Sequence, residues 1–537
     1  MLLKSPFEHE MKSVRIFEAA LLLMFFLLVL STSPSAKTDS SLTQRPNILV
    51  ITADDMGYTD IGSFGGEIRT PNLDALALTG VRLSNFHVGP ACSPTRTMMM
   101  SGTYTEVGAI PGKGPKGRGR VLAGDVVALP QRMKDAGYHT YMSGKWHLGD
   151  TAELNPQARG FDASFALTEG GAEHFKYGSN VTAKQYLENG EWVEFPDGVY
   201  STELYTDKML DYLKAREGDG KPFFAWYTPT APHWPIQVPD NYMRRYDGAY
   251  DTGYDDLLRK RLERAEEMGV LPAGISLENY PRTGSSWDAL SAQEKRYQAR
   301  IMELYAAMIE NFDYHIGRII SYLKSTDQYD NTVIIFSSDN GSDPREGTDR
   351  EGVDNSYENL GRANSWAAIG AWADAHSAPF KHEKGTQSEG GVRAPAFIRY
   401  PALHNQGGVD NRFITIMDFM PTFIELAGAK QPGTSYKGQT VLPIAGRSFA
   451  KLINGDKSTI VEHSSGSDSV WYGEALYKDQ WKLVRPQYEG EWALYNLRED
   501  PSETSDLSTQ NPKLFEELKA EWVRIGEEAE LKTVPAD

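Results

Sequence analysis

Cysteine is nearly missing from this 537-residue chain. Cys92 is the single one, so no disulfide within the chain can staple the fold. A cationic surplus is missing too. Lys and Arg number 55 against 73 Asp and Glu, a formal net charge of -18. That balance lacks the basic footprint of a nucleic-acid binder and excludes nucleic acid as a partner. It also means that an anionic substrate must be caught by local cations against an adverse overall field. Long apolar runs are missing beyond the N-terminus. The longest, Ala19 to Leu30, is shorter than the ~20 residues a membrane span needs. Lys12 and Arg15 precede it and the small residues Ser31-Thr32-Ser33-Pro34-Ser35-Ala36 follow. This is the layout of a cleaved signal peptide over residues 1–36, with Met11 as an alternative start. The expectation is an exported protein, periplasmic or extracellular, with no stable membrane association after cleavage.

What is present suits a large folded body. Hydrophobic residues make up 40% and aromatics 11%, enough for a sizeable core and too much for global disorder. After a linker at 37–44, apolar runs recur, each followed by chemically capable residues. Asn47-Ile48-Leu49-Val50-Ile51 leads into Asp54-Asp55. His139-Thr140-Tyr141-Met142 leads into Gly144-Lys145-Trp146-His147. Phe223-Phe224-Ala225-Trp226-Tyr227 leads into Pro232-His233-Trp234-Pro235. Thr332-Val333-Ile334-Ile335-Phe336 leads into Ser338-Asp339-Asn340-Gly341. Such runs read as strands buried on both faces of a parallel sheet. Helical patterns at Leu73 to Leu83, Val126 to Ala136 and Ile301 to Lys324 lie between them. The alternation predicts an α/β fold, a large mixed, mostly parallel sheet flanked by helices. Ligands bind beyond the carboxyl ends of strands in such sheets, so the polar residues after each run fall along one rim.

Three other stretches carry separate expectations. Tyr246 to Arg300, including Arg259 to Glu267, reads as a solvated helix face laced by i,i+4 pairs. Gly108 to Gly124, rich in Gly, Lys and Arg, reads as a mobile surface loop. From about Gly428 short strand-like runs appear (Ser469 to Tyr472, Trp481 to Val484, Trp492 to Leu497), then a helix from Pro512 to Ala529. These predict a main domain over 45–428 and a C-terminal subdomain over 429–537, a smaller antiparallel sheet plus helix.

The candidate chemistry centres on two strand ends. Adjacent carboxylates such as Asp54 and Asp55 repel unless a cation lies between them. Asp339 and Asn340 offer two more hard oxygen ligands. An oxygen-only set favours Ca²⁺ or Mg²⁺ over zinc, and a flexible, carboxylate-rich set in an exported enzyme favours Ca²⁺, one per chain. Cys92 opens Cys92-Ser93-Pro94-Thr95-Arg96. A proline there suits a helix start, which aims backbone N–H groups at the residue-92 side chain. Arg96 lies one turn on and reaches back to the same anion. Lys145 and His147 are two apart and share a face if extended. His233 sits between prolines, and Lys384 lies in Lys384-Gly385-Thr386-Gln387-Ser388-Glu389-Gly390-Gly391-Val392-Arg393-Ala394-Pro395. The Asn340-Gly341-Ser342 sequon is read as accidental.

From about Arg45 onward the chain resembles type I sulfatases of the alkaline-phosphatase-like superfamily, bacterial arylsulfatases in particular. The resemblance rests on the motifs just given together with Arg45-Pro46-Asn47, Asp54-Asp55-Met56-Gly57 and Thr70-Pro71-Asn72-Leu73-Asp74. Gly144-Lys145-Trp146-His147-Leu148-Gly149, Ala231-Pro232-His233-Trp234-Pro235, Asn355-Ser356-Tyr357-Glu358-Asn359 and Gly361-Arg362-Ala363-Asn364-Ser365 add to it. It implies that Cys92 is oxidised to formylglycine by a maturation enzyme, and that Asp54, Asp55, Asp339, Asn340 and residue 92 hold Ca²⁺. Arg96, Lys145 and His147 then serve the formylglycine hydrate, while His233 and Lys384 face the ester. The implied reaction is hydrolysis of sulfate monoesters, aryl or carbohydrate, with a phosphonate monoester or phosphodiester hydrolase as the alternative. A third reading, a silent metal- or carbohydrate-binding protein, predicts an unmodified thiol. The N-terminal signal and the short Gly108 to Gly124 loop depart from the cytoplasmic relatives. Substrate choice is expected in the loops Gly108 to Gly124, Phe165 to Tyr177 and Tyr242 to Tyr280.

Overall fold

A strand buried on both faces must place an apolar side chain on each side at every step, and the first strand does so. In β1 (Asn47–Ala53) every residue is buried. Ile48 and Val50 belong to one hydrophobic cluster, Leu49 and Ile51 to the other. The period of two sends alternate residues into two cores on opposite faces of the sheet.

The computed structural model describes residues 45–113, 120–176, 185–278, 280–282, 284–348, 351–431, 433–454, 470–471, 474–486 and 490–528. The expected signal peptide and linker lie outside them, as do residues 114–119 of the basic loop. Among the described residues no helix is long and apolar enough to cross a membrane.

Ten strands form the main sheet. After β1 they are β2 (Val81–Leu83), β3 (His139–Lys145), β4 (Ala163–Leu167), β5 (Tyr186–Glu188) and β6 (Glu191–Val193), then β7 (Phe223–Thr228), β8 (Thr332–Ser338), β9 (Ala396–Arg399) and β10 (Val409–Asp410). Their order is β10-β2-β9-β8-β1-β7-β3-β4-β5-β6. The centre, β8-β1-β7-β3-β4, is parallel, while β9 and β5 run antiparallel to their central neighbours. The expected mixed, mostly parallel sheet is therefore observed. Among its flanking helices are α1 (Pro71–Thr79), α2 (Cys92–Ser101), α3 (Leu129–Asp135), α4 (Ser201–Lys214), α5 (Tyr254–Glu267), α6 (Ala292–Ser325) and α7 (Phe419–Leu426). Helix α6 begins at a capping box: Ser291 N–H donates to Glu294 Oε2 at 2.7 Å, and Glu294 N–H to Ser291 Oγ at 3.3 Å.

The smaller sheet orders β11 (Val470–Trp471), β12 (Ala475–Lys478), β13 (Trp481–Val484) and β14 (Ala493–Asn496), all antiparallel. One face joins the main core through Ala475, Tyr477, Val484 and Tyr495. The other gathers Leu476, Leu483 and Leu494 with Leu518 of α8 (Pro512–Glu528).

Three expectations change. The helix over Leu73 to Leu83 stops at Thr79, and Val81–Leu83 is a sheet strand. Gly80 makes the break: a Cβ there would lie 2.1 Å from the Ile398 carbonyl oxygen, so only glycine passes β9. The described ends of the Gly108 to Gly124 loop are a hairpin stem, with Ala109–Pro111 antiparallel to Arg120–Leu122. The stretch Tyr246 to Arg300 is helical at α5 and the start of α6, and Arg261 is fully buried rather than solvated. It pairs with Asp60 at 2.6 Å and Glu67 at 2.8 Å.

Candidate active site

Strands β8, β1, β7 and β3 are adjacent and parallel, so their carboxyl ends share one rim. The register pairs Ala53 with Ser338. Asp54 and Asp55 therefore leave β1 beside Asp339 and Asn340 leaving β8. Lys145 ends β3, and β7 runs out through Thr228 toward His233. All four expected strand ends converge.

Two ion pairs dominate the rim. Lys145 Nζ donates to both oxygens of Asp54 at 2.8 and 2.7 Å, and both side chains are fully buried. Lys384 Nζ donates to both oxygens of Asp55 at 2.7 Å and stands 3.0 Å from Asp343 Oδ2. Burial alone would raise the Asp54 carboxyl, but Lys145, aided by His233, Arg96 and Lys384, holds it well below the usual range. Asp339 goes the other way: burial, with Asp54 close by, pushes it up to about 6 despite Arg96.

Helix α2 starts at Cys92. The Cys92 Sγ lies 3.4 Å from Asp54 Oδ1 and 3.8 Å from Asp55 Oδ1, and the residue is only 4% exposed. Burial and the charge of Asp339 raise its thiol well above the ordinary value. As a thiol it is a poor nucleophile, since the thiolate is the reactive form. Arg96, one turn on and buried, donates through Nε and Nη2 to Asp339 Oδ2 at 3.1 and 2.8 Å and through Nη1 to Thr228 Oγ1 at 3.0 Å. It thus clamps the ends of β7 and β8 together.

The two histidines face a double glycine. His147 does not continue the strand as expected: its φ is +57°, so it turns out of the extended line that would align it with Lys145. A Cβ on Gly170 would fall 2.8 Å from His147 Cε1, and one on Gly171 2.8 Å from His233 Cε1. His233 Nε2 stands 3.5 Å from Asp55 Oδ2. Burial, then Lys145, lowers His147 well below the usual imidazole range; burial lowers His233 too, against the pull of Asp55.

Asp54, Asp55, Cys92 and His233 bring possible ligand atoms within 4.8 Å of one another. Asn340, fully buried, donates its amide to Asp55 Oδ1 at 2.7 Å, while its Oδ1 has no hydrogen-bond partner. The two carboxylates of this cluster, with the orphaned amide oxygen of Asn340 beside Asp55, fit a hard divalent cation. Burial of Asn340 also removes the Asn340-Gly341-Ser342 sequon from the surface.

Several residues here carry no sequence signal of their own. Asp343 joins Lys384 to the Trp234 indole, whose Nε1 donates to Asp343 Oδ2 at 3.3 Å. Its place three residues past Asn340 is the only hint. Buried His174 donates or accepts at Ser201 Oγ at 2.7 Å, and its Nε2 donates to the His233 carbonyl at 3.0 Å. The pair Gly170-Gly171 reads in sequence only as a turn.

The family described as Sulfatase matches residues 46–429, and the N-sulphoglucosamine sulphohydrolase C-terminal family matches 382–527. An uncharacterized sulfatase of Schizosaccharomyces pombe is 38% identical, with 92% of this chain and 96% of that protein covered. The arylsulfatase of Klebsiella aerogenes is 36% identical over 76% of this chain and 92% of its own. A solved structure in complex with its substrate D-glucosamine-2-N,6-O-disulfate superposes with a TM-score of 0.61 at 20% identity, covering 91% and 99% of the two chains. With a family match over most of its length and these relatives, the chain belongs to the sulfatase family, the sulfuric ester hydrolases.

Proposed function

We propose that the protein is an exported sulfatase that hydrolyses sulfate monoesters, aryl or saccharide, through a formylglycine made from Cys92, with one Ca²⁺ at the aspartate rim. The observation that carries this reading is the position of Cys92. It opens a helix, its sulfur lies 3.4 Å from Asp54, and the ammonium groups of Lys145 and Lys384 flank the two adjacent aspartates. A buried thiol with a raised pKa does little there, whereas an oxygen nucleophile at the same position would lie among cations suited to a sulfuryl group.

Ca²⁺, held by Asp54, Asp55, Asp339 and Asn340 with residue 92, would supply positive charge that favours the ionised form of a nearby hydroxyl. A formylglycine at residue 92 would supply, as its hydrate, two hydroxyls on one carbon, one able to attack sulfur and the other able to expel sulfate. The chain's own groups do the rest. Asp339, raised to about 6, accepts the proton of the attacking hydroxyl and is oriented by Arg96. Lys145 and Lys384 balance charge on the sulfuryl oxygens. His233, whose protonated form the Asp55 carboxylate favours against burial, gives a proton to the leaving oxygen, a contribution of roughly 10²–10⁴-fold that is largest for poor leaving groups. His147, held neutral by burial, takes the proton from the second hydroxyl. The formylglycine is installed by a separate maturation enzyme, and the signal over residues 1–36 directs the chain out of the cytoplasm.

The test is a peptide mass spectrum of active protein together with turnover of p-nitrophenyl sulfate before and after chelation. An aldehyde at residue 92 and activity lost to chelator and restored by Ca²⁺ support the proposal. An unmodified thiol in fully active protein overturns it. Faster turnover of phenyl p-nitrophenyl phosphonate than of the sulfate would transfer the same site to phosphonate esters.

A further inference from the structure

The C-terminal sheet contributes a fully buried cation that no step above uses. Lys482 of β13 has its Nζ 2.9 Å from Glu389 Oε1 and 2.9 Å from Glu503 Oε1, with all three side chains at 0% exposure. Glu389 is shared further. Its Oε1 accepts the Tyr477 hydroxyl at 2.9 Å, and its Oε2 faces His87 Nε2 at 3.1 Å and Arg393 Nη1 at 3.4 Å. Glu503 in turn accepts the Glu389 backbone N–H at 2.7 Å, through Oε2.

Glu389 opens the short helix Glu389–Val392, just past Lys384. The turn between them touches three parts of the molecule. Lys384 N–H donates to the Ser342 carbonyl at 3.0 Å, beside Asn340. Gly385 N–H donates to the Pro90 carbonyl at 2.7 Å, two residues before Cys92. Gln387 N–H donates to the Pro486 carbonyl at 3.2 Å, just past β13. Behind the turn, Gly341 N–H donates to the Gly391 carbonyl at 3.0 Å, and a Cβ on Gly341 would fall 1.8 Å from the Gly390 oxygen. A shift of Glu389 therefore cannot stay local. It moves a turn wedged against the Asn340 strand end and against the approach to Cys92.

Removing Lys482 would leave two buried carboxylates in contact with one fewer cation, and uncompensated buried charge forces either protonation or movement. We propose that Lys482 is a positioning residue of the active site, fixing Lys384 between Asp55 and Asp343 through Glu389 and the turn that joins them. This rests on the reading of Lys384 as a contact to the sulfate ester. The C-terminal sheet is then part of the catalytic apparatus rather than a cover for the core.

A double-mutant cycle with kcat/KM for p-nitrophenyl sulfate tests it. Lys482→Met is expected to lower kcat/KM roughly 10–100-fold, the range that misplacement of a reacting group by about 1 Å produces. In a Lys384→Ala background the same change should cost less than about threefold, because its target is gone. An unchanged rate for Lys482→Met, or an equal loss in both backgrounds, overturns the proposal. If Lys384→Ala alone leaves kcat/KM intact, the reading of Lys384 has failed first, a result distinct from the cycle. Circular dichroism and a thermal melt establish that each variant folds. Should Lys482→Met not fold, Glu503→Gln takes its place in the same cycle. It keeps the side-chain shape while removing one charge from the pair, and an equal loss in both backgrounds is again the overturning result.

Discussion

Lys384 and Asp343 stand 3.0 Å apart, Nζ to Oδ2, and that same oxygen accepts the indole N–H of Trp234. One buried carboxylate thus holds both the Lys384 ammonium and the ring next to His233. Burial would raise the Asp343 carboxyl, yet Lys384 and Arg345 hold it below its ordinary value. Asp343→Ala should lower kcat/KM for p-nitrophenyl sulfate about 10–100-fold, the equivalent of one charge-assisted contact of about 1.5–3 kcal/mol. Steady-state kinetics check this, and activity within a factor of about two of the parent would remove Asp343 from the site.

The double glycine is demanded by space rather than by backbone conformation, since each of its residues packs against one imidazole. Gly171→Ala places a methyl 2.8 Å from His233 Cε1, and Gly170→Ala does the same to His147. With the roles proposed above, Gly171→Ala should cost more as the leaving group becomes poorer, within the roughly 10²–10⁴-fold that acid catalysis is worth. Gly170→Ala should instead slow sulfate release equally for all leaving groups. A series of substituted phenyl sulfates separates the two, and identical leaving-group dependence in both variants would contradict the assignment.

Arg261 is the buried partner of Asp60 and Glu67, and Asp60, at about 2, also pairs with His376 at 2.6 Å. Arg261→Leu leaves buried Asp60 and half-buried Glu67 without this cation and should destabilise the protein by about 3–5 kcal/mol. Lys260→Ala, which removes an exposed i,i+4 pair with Asp256, should cost no more than about 0.5 kcal/mol. Urea unfolding of the two variants in parallel measures the contrast.

Acid should destabilise the fold through His174. Burial lowers its pKa from 6.5 to about 4, so the folded state keeps it neutral while the unfolded chain protonates. The stability this provides is complete above pH 6.5 and declines as pH falls from 6.5 toward 4, at about 1.4 kcal/mol per pH unit for one such group. Unfolding midpoints at pH 7 and pH 5 should therefore differ, and His174→Gln should reduce the difference. An unaltered pH dependence in that variant would assign the effect to other groups.

The strand ends were legible in the sequence because buried parallel strands have an unambiguous pattern. A continuous apolar run such as Thr332 to Phe336, ended by Ser338-Asp339-Asn340, has few other homes. The residues brought together from those ends, Asp54, Asp55, Lys145, His233, Asp339 and Asn340, follow from the sheet alone. Arg261 was not legible, because a charged amphipathic helix reads the same whether one arginine faces water or a buried aspartate. Lys482 was hidden in the four-residue run Trp481-Lys482-Leu483-Val484, whose alternation places a lysine on one face without naming what lies there. Gly80 and the pair Gly170-Gly171 are demanded by neighbours distant in sequence, Ile398 and the two histidines.

The active centre is sewn from widely separated stretches of chain. Asp55 meets Lys384 across 329 positions, Asn340 meets Asp55 across 285, and Arg96 meets Asp339 across 243. Contacts this remote form slowly, since closing each loop costs entropy before any contact repays it. A nascent or partly unravelled molecule can hold native helices yet no working centre, so latency lasts until the final segments dock. Loss of catalysis on gentle heating should therefore precede the loss of helical signal.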